Sequence, residues 1–201
     1  MSDHAILEED DGLEFHASFN LALDGAGFEV FKWLIIGHIL YAIGLLIVVA
    51  ANITNGNIWV TPLFALPLLW RTRDYRMWQK VVVLLVGFTA MHYFAVQAAV
   101  QVSRGQEAWV PGLLGGAIGA IGAFALCGVF GLLRSGPVML IFAVFWTIVL
   151  ALVGSMGVYL YLTTGAKSDG MVSAWVQMLK IYTPWQVVFA YALAKMLRPD
   201  G

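Results

Sequence analysis

The stretch PVMLIFAVFWTIVLALVGSMGVYLYLTT, residues 137–164, carries no charged side chain. As an α-helix it is about 42 Å long at 1.5 Å per residue, more than the roughly 30 Å hydrocarbon core of a bilayer. Working outward, further apolar runs lie at Phe28–Ile53, Ile58–Trp70, Trp78–Val102, Trp109–Leu133 and Trp175–Leu197, each bounded by Gly, Pro, Asn or charge. The sequence therefore predicts an all-α polytopic membrane helix bundle of about six transmembrane helices. Composition agrees. Of 201 residues, 61% are apolar and 11% charged, against about 25% charged in an average soluble domain. The run Ile58–Trp70 is short, rising only about 20 Å as a helix. It is expected to borrow flanking residues, thin the bilayer or re-enter on the same side.

The overall charge of −1 conceals a segregation. Asp3, Glu8, Glu9, Asp10, Asp11, Glu14, Asp24 and Glu29 precede the first basic residue, so residues 1–27 form an acidic segment and residues 28–201 a basic membrane domain. The acidic segment is expected to be a cytoplasmic tail or a short interfacial helix, and it lacks the positive start of a cleaved signal peptide. Cytoplasmic loops retain Lys and Arg. Six alternating spans then put Lys32, Arg71, Arg73, Arg76, Lys80, Arg134, Lys195 and Arg198 inside, and Arg104 and Lys167 outside. Both termini are expected in the cytoplasm of a bacterial cell, with the chain in the inner (plasma) membrane. Trp33, Trp78, Trp109 and Trp175 lie near span ends, where indole rings prefer the lipid–water boundary.

Between Val30 and Pro199 the only acids are Asp74, Glu107 and Asp169, all in expected loops. That disfavours a carboxylate proton relay, carboxylate-rich metal sites and aspartate-dependent lipid phosphotransfer. Cys127 is the only cysteine, which excludes an internal disulfide and a multi-cysteine metal site. His38 and His92 are the two histidines within spans. Counted from Lys32 and Lys80, they lie at about 9 Å and about 18 Å depth. Two axial ligands of one haem need similar depth, so haem through His38 or His92 is disfavoured and no cofactor is expected. Gly154-Ser155-Met156-Gly157 sets a serine among glycines, but no histidine lies on the last span to activate it. No catalytic residue or metal ligand is assigned, and an enzyme is the least supported class.

Two features do point to a function. The fourth run carries Gly112, Gly115, Gly116, Gly119, Gly122, Gly128 and Gly131, a face suited to close helix contact, inside the bundle in preference to a dimer seam. Polar side chains also gather toward the expected outer leaflet: Asn57, Trp59, Gln97, Gln101, Tyr159, Gln177, Lys180 and Tyr182 are the candidate ligand-binding residues. Amides and hydroxyls are costly against lipid, so they are expected to face one another, water or a bound molecule. Lys180 is close enough to the boundary to snorkel. Pro184 frees backbone carbonyls, while Pro62 and Pro67 weaken the short second run.

The segment from Tyr41 through Asn57-Ile58-Trp59, Pro62, Arg71 and Trp78 resembles the opening of the bacterial MASE-type membrane-associated sensor domains: an apolar helix, an Asn/Gly turn, an Ile-Trp pair with a following proline, and an arginine-containing inner loop with a Trp. The resemblance implies a receptor that acts through a separate partner. The expectation is a small inner-membrane sensor or ligand-binding subunit. It would recognise a small molecule or lipid from the outer side and act on a protein partner in the membrane or at the cytoplasmic face. The alternatives are a substrate-specificity subunit of a transporter and a structural accessory subunit of a larger complex. The lipid bilayer is a partner in every case, and nucleic acid is not.

Overall fold

The apolar runs become helices wherever the backbone must satisfy its own polar groups. The computed structural model describes residues 22–71, 77–134, 136–164 and 170–198. The helices are α1 (Gly25–Ala50), α2 (Gly56–Trp59), α3 (Pro62–Arg71), α4 (Met77–Lys80), α5 (Phe88–Val102), α6 (Val110–Val129), α7 (Pro137–Thr164) and α8 (Met171–Met196), with a π-helical segment, Val81–Gly87, joining α4 to α5. Among the described residues there is no strand, only an isolated antiparallel bridge between Leu133 and Leu197. The chain is all-α. Four stretches, Gly25–Ala50, Trp78–Val102, Val110–Val129 and Pro137–Thr164, are long and apolar enough to cross a membrane. The helix α8 has the length but is more polar, carrying Gln177, Lys180, Thr183 and Gln186. The acidic segment before residue 22, Arg73, Arg76, Lys167 and Asp169 lie outside the described residues.

The second apolar run folds as two pieces because the sequence interrupts it twice. Asn52 and Asn55 adopt left-handed backbone, φ 50° and 56°, which asparagine tolerates better than other side-chain-bearing residues. One turn of α2 follows, and Pro62 then opens α3, where its missing N–H costs nothing.

Helices neighbouring in chain order pack side by side, α3 meeting the π-helical segment that leads into α5 and α2 meeting α5 itself, and α8 packs back on α1 to close a ring. Neighbours are antiparallel. On α1, Gly37 meets Phe64 while Gly56 meets Val48 further along; on α8, Ala194 lies by Gly27 and Tyr182 by Tyr41. Lipid is as apolar as leucine, so close packing and hydrogen bonds, more than burial from water, hold such a bundle together. The glycines of α6 supply part of that packing within the ring. A Cβ on Gly154 of α7 would stand 2.6 Å from the Gly112 carbonyl oxygen, and one on Gly115 would stand 3.2 Å from the Ala95 carbonyl oxygen of α5. Cys127 is fully buried between these helices' neighbours as a small packing side chain.

One end of the ring is fastened by charge. Arg134 donates to Asp24 Oδ2 at 2.7 Å and, through Nε, to the Leu197 carbonyl at 3.0 Å. Arg198 donates to the Leu133 carbonyl at 2.8 Å, and Lys195 donates to the Ala22 carbonyl. Asp24 also caps α1, accepting from the Gly27 N–H at 2.6 Å. Lys80, counted with the basic loop on sequence grounds, is instead buried at 4% exposure.

Gly37→Leu drives a side chain into the Phe64 carbonyl and is expected to destabilise the fold by about 3 kcal/mol. Gly25→Ala, with nothing within 4 Å of its added methyl, is expected to stay within about 0.5 kcal/mol; thermal midpoints in detergent compare the two. The Arg134 hydrogen bond, then the Gly27 N–H, hold the Asp24 carboxyl below its usual value of 3.8. The clasp is therefore complete above that value and is lost as pH falls through the lowered one, worth no more than about 1 kcal/mol at this exposed position. Amide protection at residues 22–27, taken relative to the intrinsic exchange rate at each pH, is expected to fall over that acidic window, and Asp24→Asn to remove this pH dependence.

Candidate functional site

The ring encloses a cavity of about 350 Å³ between α5, α6, α7 and α8, with Thr61 and Phe64 reaching it from the start of α3. Its wall on α5 and α6 is built of small residues, chiefly Ala95, Ala99, Gly112, Gly115, Gly116 and Gly119. Its opposite wall on α8 is aromatic. Trp185 stacks on Phe189, ring centroids 4.9 Å apart and planes 11° apart, and Phe189 also meets Phe64, Phe88 and Phe124 at 6.2, 5.4 and 5.7 Å. These rings close the cavity toward the Asp24–Arg134 end. Toward the other end it reaches the surface at Val100, Ser103 and Leu162, all exposed.

A layer of polar groups edges this cavity. Thr61 Oγ1 lies 2.6 Å from His92 Nδ1 and 3.2 Å from the Asn57 carbonyl oxygen one turn back. Asn57 donates to the Tyr182 hydroxyl at 2.7 Å, and the Tyr182 ring meets His92 edge-on at 5.2 Å and the fully buried Tyr41 at 5.6 Å. Deeper along α8, the Gln186 side-chain oxygen Oε1 accepts from His38 Nδ1 at 2.7 Å. The one-turn helix α2 and the Pro62 start of α3 thus bring Asn57 and Thr61 against two different neighbours, α8 and α5. His92 Nε2 and Trp185 Nε1 are buried without a hydrogen-bond partner among the described residues, and both residues line the cavity. An unmet buried polar atom costs about 1–3 kcal/mol, so each calls for a partner of its own.

Of the residues chosen on sequence grounds, Tyr182 lines the cavity and Asn57 holds its hydroxyl. Gln177 is buried, its Oε1 without a partner among the described residues, but does not line the cavity. Gln97 is half-buried beside the lining face of α5, and Gln101 is exposed. Trp59 and Tyr159 face outward, 71% and 48% exposed. Lys180 reaches up to donate to Thr164 Oγ1 at 2.9 Å, the snorkelling geometry. Pro184 does free the Lys180 carbonyl, but that oxygen lies against Gly157 of α7, where a Cβ would come within 2.9 Å of it, and so serves packing. Residues that sequence reasoning passed over are Trp185, Gln186 and the Ala95/Ala99 pair. The one signal for them was alanine at four-residue spacing opposite a glycine face, which fits dry helix contact equally well.

No family model, curated protein or solved structure matches this chain. The charged groups keep away: no Asp, Glu, Lys or Arg lines the cavity among the described residues. Nor do the described residues hold a group of three or more His, Cys, Asp or Glu placed to bind a metal ion. Chemically the site offers apolar contact with a few hydrogen-bonding atoms on one side. That suits recognition of an uncharged molecule.

Tyr182→Phe and Asn57→Ala are each expected to cost about 1–2 kcal/mol, and the double variant about 1 kcal/mol less than their sum, because both remove the same bond. Unfolding in detergent micelles measures the cycle.

Proposed function

We propose that this chain is a small-molecule-binding membrane protein, a sensor or binding subunit that takes an uncharged, mainly apolar ligand and acts through a protein partner. The observation that carries the reading is the cavity itself. Its volume of about 350 Å³ falls in the range of roughly 300–1,000 Å³ that holds one small ligand. It is apolar with a few polar groups at its edge, and two lining residues, His92 and Trp185, each carry a ring nitrogen without a hydrogen-bond partner among the described residues.

The topology proposed with it has six spans, both termini in the cytoplasm and a bacterial inner-membrane location. Two observations support this: consecutive elements of the ring run antiparallel, and Lys32, Arg71, Arg134, Lys195 and Arg198 gather at the end where Asp24 is clasped. Under that orientation the mouth at Ser103 and Leu162 opens toward the outer leaflet. The likeness of residues 41–78 to MASE-type sensor domains supports a receptor role. In that role α3, short and containing Pro67, is the element placed between the ligand and the basic connection after Arg71. Thr61 touches the cavity at one end of α3, and Arg71 ends it at the other.

Mass spectrometry of the gently purified full chain is expected to find a retained, uncharged lipophilic molecule. Ala95→Phe, which fills the space beside Gly119 and Trp185, is expected to lower its occupancy at least about tenfold, since the ring takes volume the ligand needs. Full occupancy in a folded Ala95→Phe variant overturns the reading.

A further inference from the structure

The shape of the cavity narrows the ligand class, on the basis of the binding role just proposed. Its lining residues recur every three or four positions along α5, from Phe88 to the cap Ser103, and along α6, from Pro111 to Ala123. Those stripes rise about 22 Å and about 18 Å at 1.5 Å per residue, so the space is a slot running lengthwise between the helices. It is blind at one end, where Phe64, Phe88 and Phe124 gather round Phe189. At the other end it opens at Val100 and Leu162, 55% and 46% exposed, beside Ser103. Trp109, two residues before the lining Pro111, is exposed as well, and an indole at a helix end prefers the lipid–water boundary.

The walls decide which end of a ligand goes in. Asn57 gives its amide hydrogen to Tyr182, and Thr61 and His92 bond each other. The two unmet ring nitrogens, His92 Nε2 and Trp185 Nε1, lie buried within the walls. What the slot presents is therefore almost all carbon, from the small-residue face on one side and the rings of α8 on the other. A polar end pushed inward gives up its water without replacement. A hydrocarbon end gains contacts that an empty slot forgoes, and it comes straight from the surrounding lipid at the exposed Val100 and Leu162. We infer that the slot holds one linear hydrocarbon chain of a neutral lipid, inserted methyl end first, with its polar end left at the boundary beside Ser103. The depth fits. One chain spans about 15 Å within a leaflet, half of the roughly 30 Å hydrocarbon core, and the slot is longer than that. Neutrality follows from the rim. The connection after Ser103 carries Arg104 and Glu107, one charge of each sign, and Lys180 is turned to Thr164, so the described rim gathers no cluster of cations for an anionic headgroup.

Two photoreactive palmitoyl monoacylglycerols, one with a diazirine at the methyl end of the chain and one with it beside the glycerol, test this on the full chain in lipid nanodiscs, with adducts mapped by mass spectrometry. The methyl-end probe is expected to label Met91 and Ala95 deep in the slot, and the glycerol-end probe Val100, Ser103 and Leu162 at its mouth. Ala95→Phe on α5 and Val158→Phe on α7 are each expected to lower the deep labelling at least about tenfold, while labelling of the outward-facing Leu152 stays unchanged. The comparison of the two probes in the wild type decides the direction of insertion whether or not a variant folds. Deep labelling by the glycerol-end probe instead overturns the inference and leaves the binding role standing. Deep labelling that persists in a folded Ala95→Phe variant also overturns the inference. Labelling confined to outward-facing residues overturns it alone when the purified chain still retains another lipophilic molecule that Ala95→Phe expels, and overturns both readings when no molecule is retained.

Discussion

Close approach of helix backbones on one side of the ring, set against bulky rings on the other, is the constraint from which the rest of the structure follows. Gly112 and Gly116 let α6 meet the backbone of α7 at Gly154 and Leu150, and Gly115 lets it meet α5 at Ala95. Three helices are thereby drawn tightly together. The face of α8 opposite them carries Tyr182, Trp185 and Phe189; Trp185 stacks on Phe189, and Phe189 meets Phe64, Phe88 and Phe124. Trp185 reaches the small-residue wall at Gly119, where a Cβ would stand 3.3 Å from its ring. A space remains where large side chains on one element face hydrogens and methyls on three others, and close-packed interiors leave few such spaces by accident.

The same economy explains the placement of polar groups. Inside a bilayer an amide or imidazole needs a partner from the protein. Asn57 with Tyr182, Thr61 with His92 and His38 with Gln186 each join helices distant in the chain, so every pair also fixes a register between neighbours. Several buried polar atoms are left over among the described residues, and two of them, His92 Nε2 and Trp185 Nε1, belong to residues that line the cavity. The charged residues are dealt with differently. Asp24, Arg134, Lys195 and Arg198 tie the chain ends together outside the apolar layer, and Lys180 reaches for Thr164 at the opposite rim.

The mouth of the cavity and the clasp occupy opposite ends of one bundle, joined by α3 and α8. The helix α8 carries the aromatic wall at its centre and the fastening residues Lys195 and Arg198 at its end, which hydrogen-bond to residues 22, 132 and 133. Pro184 lies inside this helix and has no N–H to bond the Lys180 carbonyl.

Local composition alone determined that the chain is a bundle of apolar helices. The uncharged run 137–164 is a helix with those limits, and Trp78–Val102 is helical and long and apolar enough to cross a membrane, as read from the sequence, because apolar length and flanking Gly, Pro or charge act within a single segment. The π-helical segment at Val81–Gly87 and the division of the second run at Thr61 were not legible there, since both depend on what packs alongside. The site was legible only in part. Asn57 and Tyr182 were marked by the cost of polar groups in lipid, but so were Trp59, Gln101 and Tyr159, which the fold turns outward. Depth along a helix can be counted from the sequence, whereas the direction in which a side chain points around the helix axis is decided by neighbours. Tertiary structure alone chose which face of α5 meets the glycines of α6, and so where Ala95, His92 and Trp185 come to share one cavity.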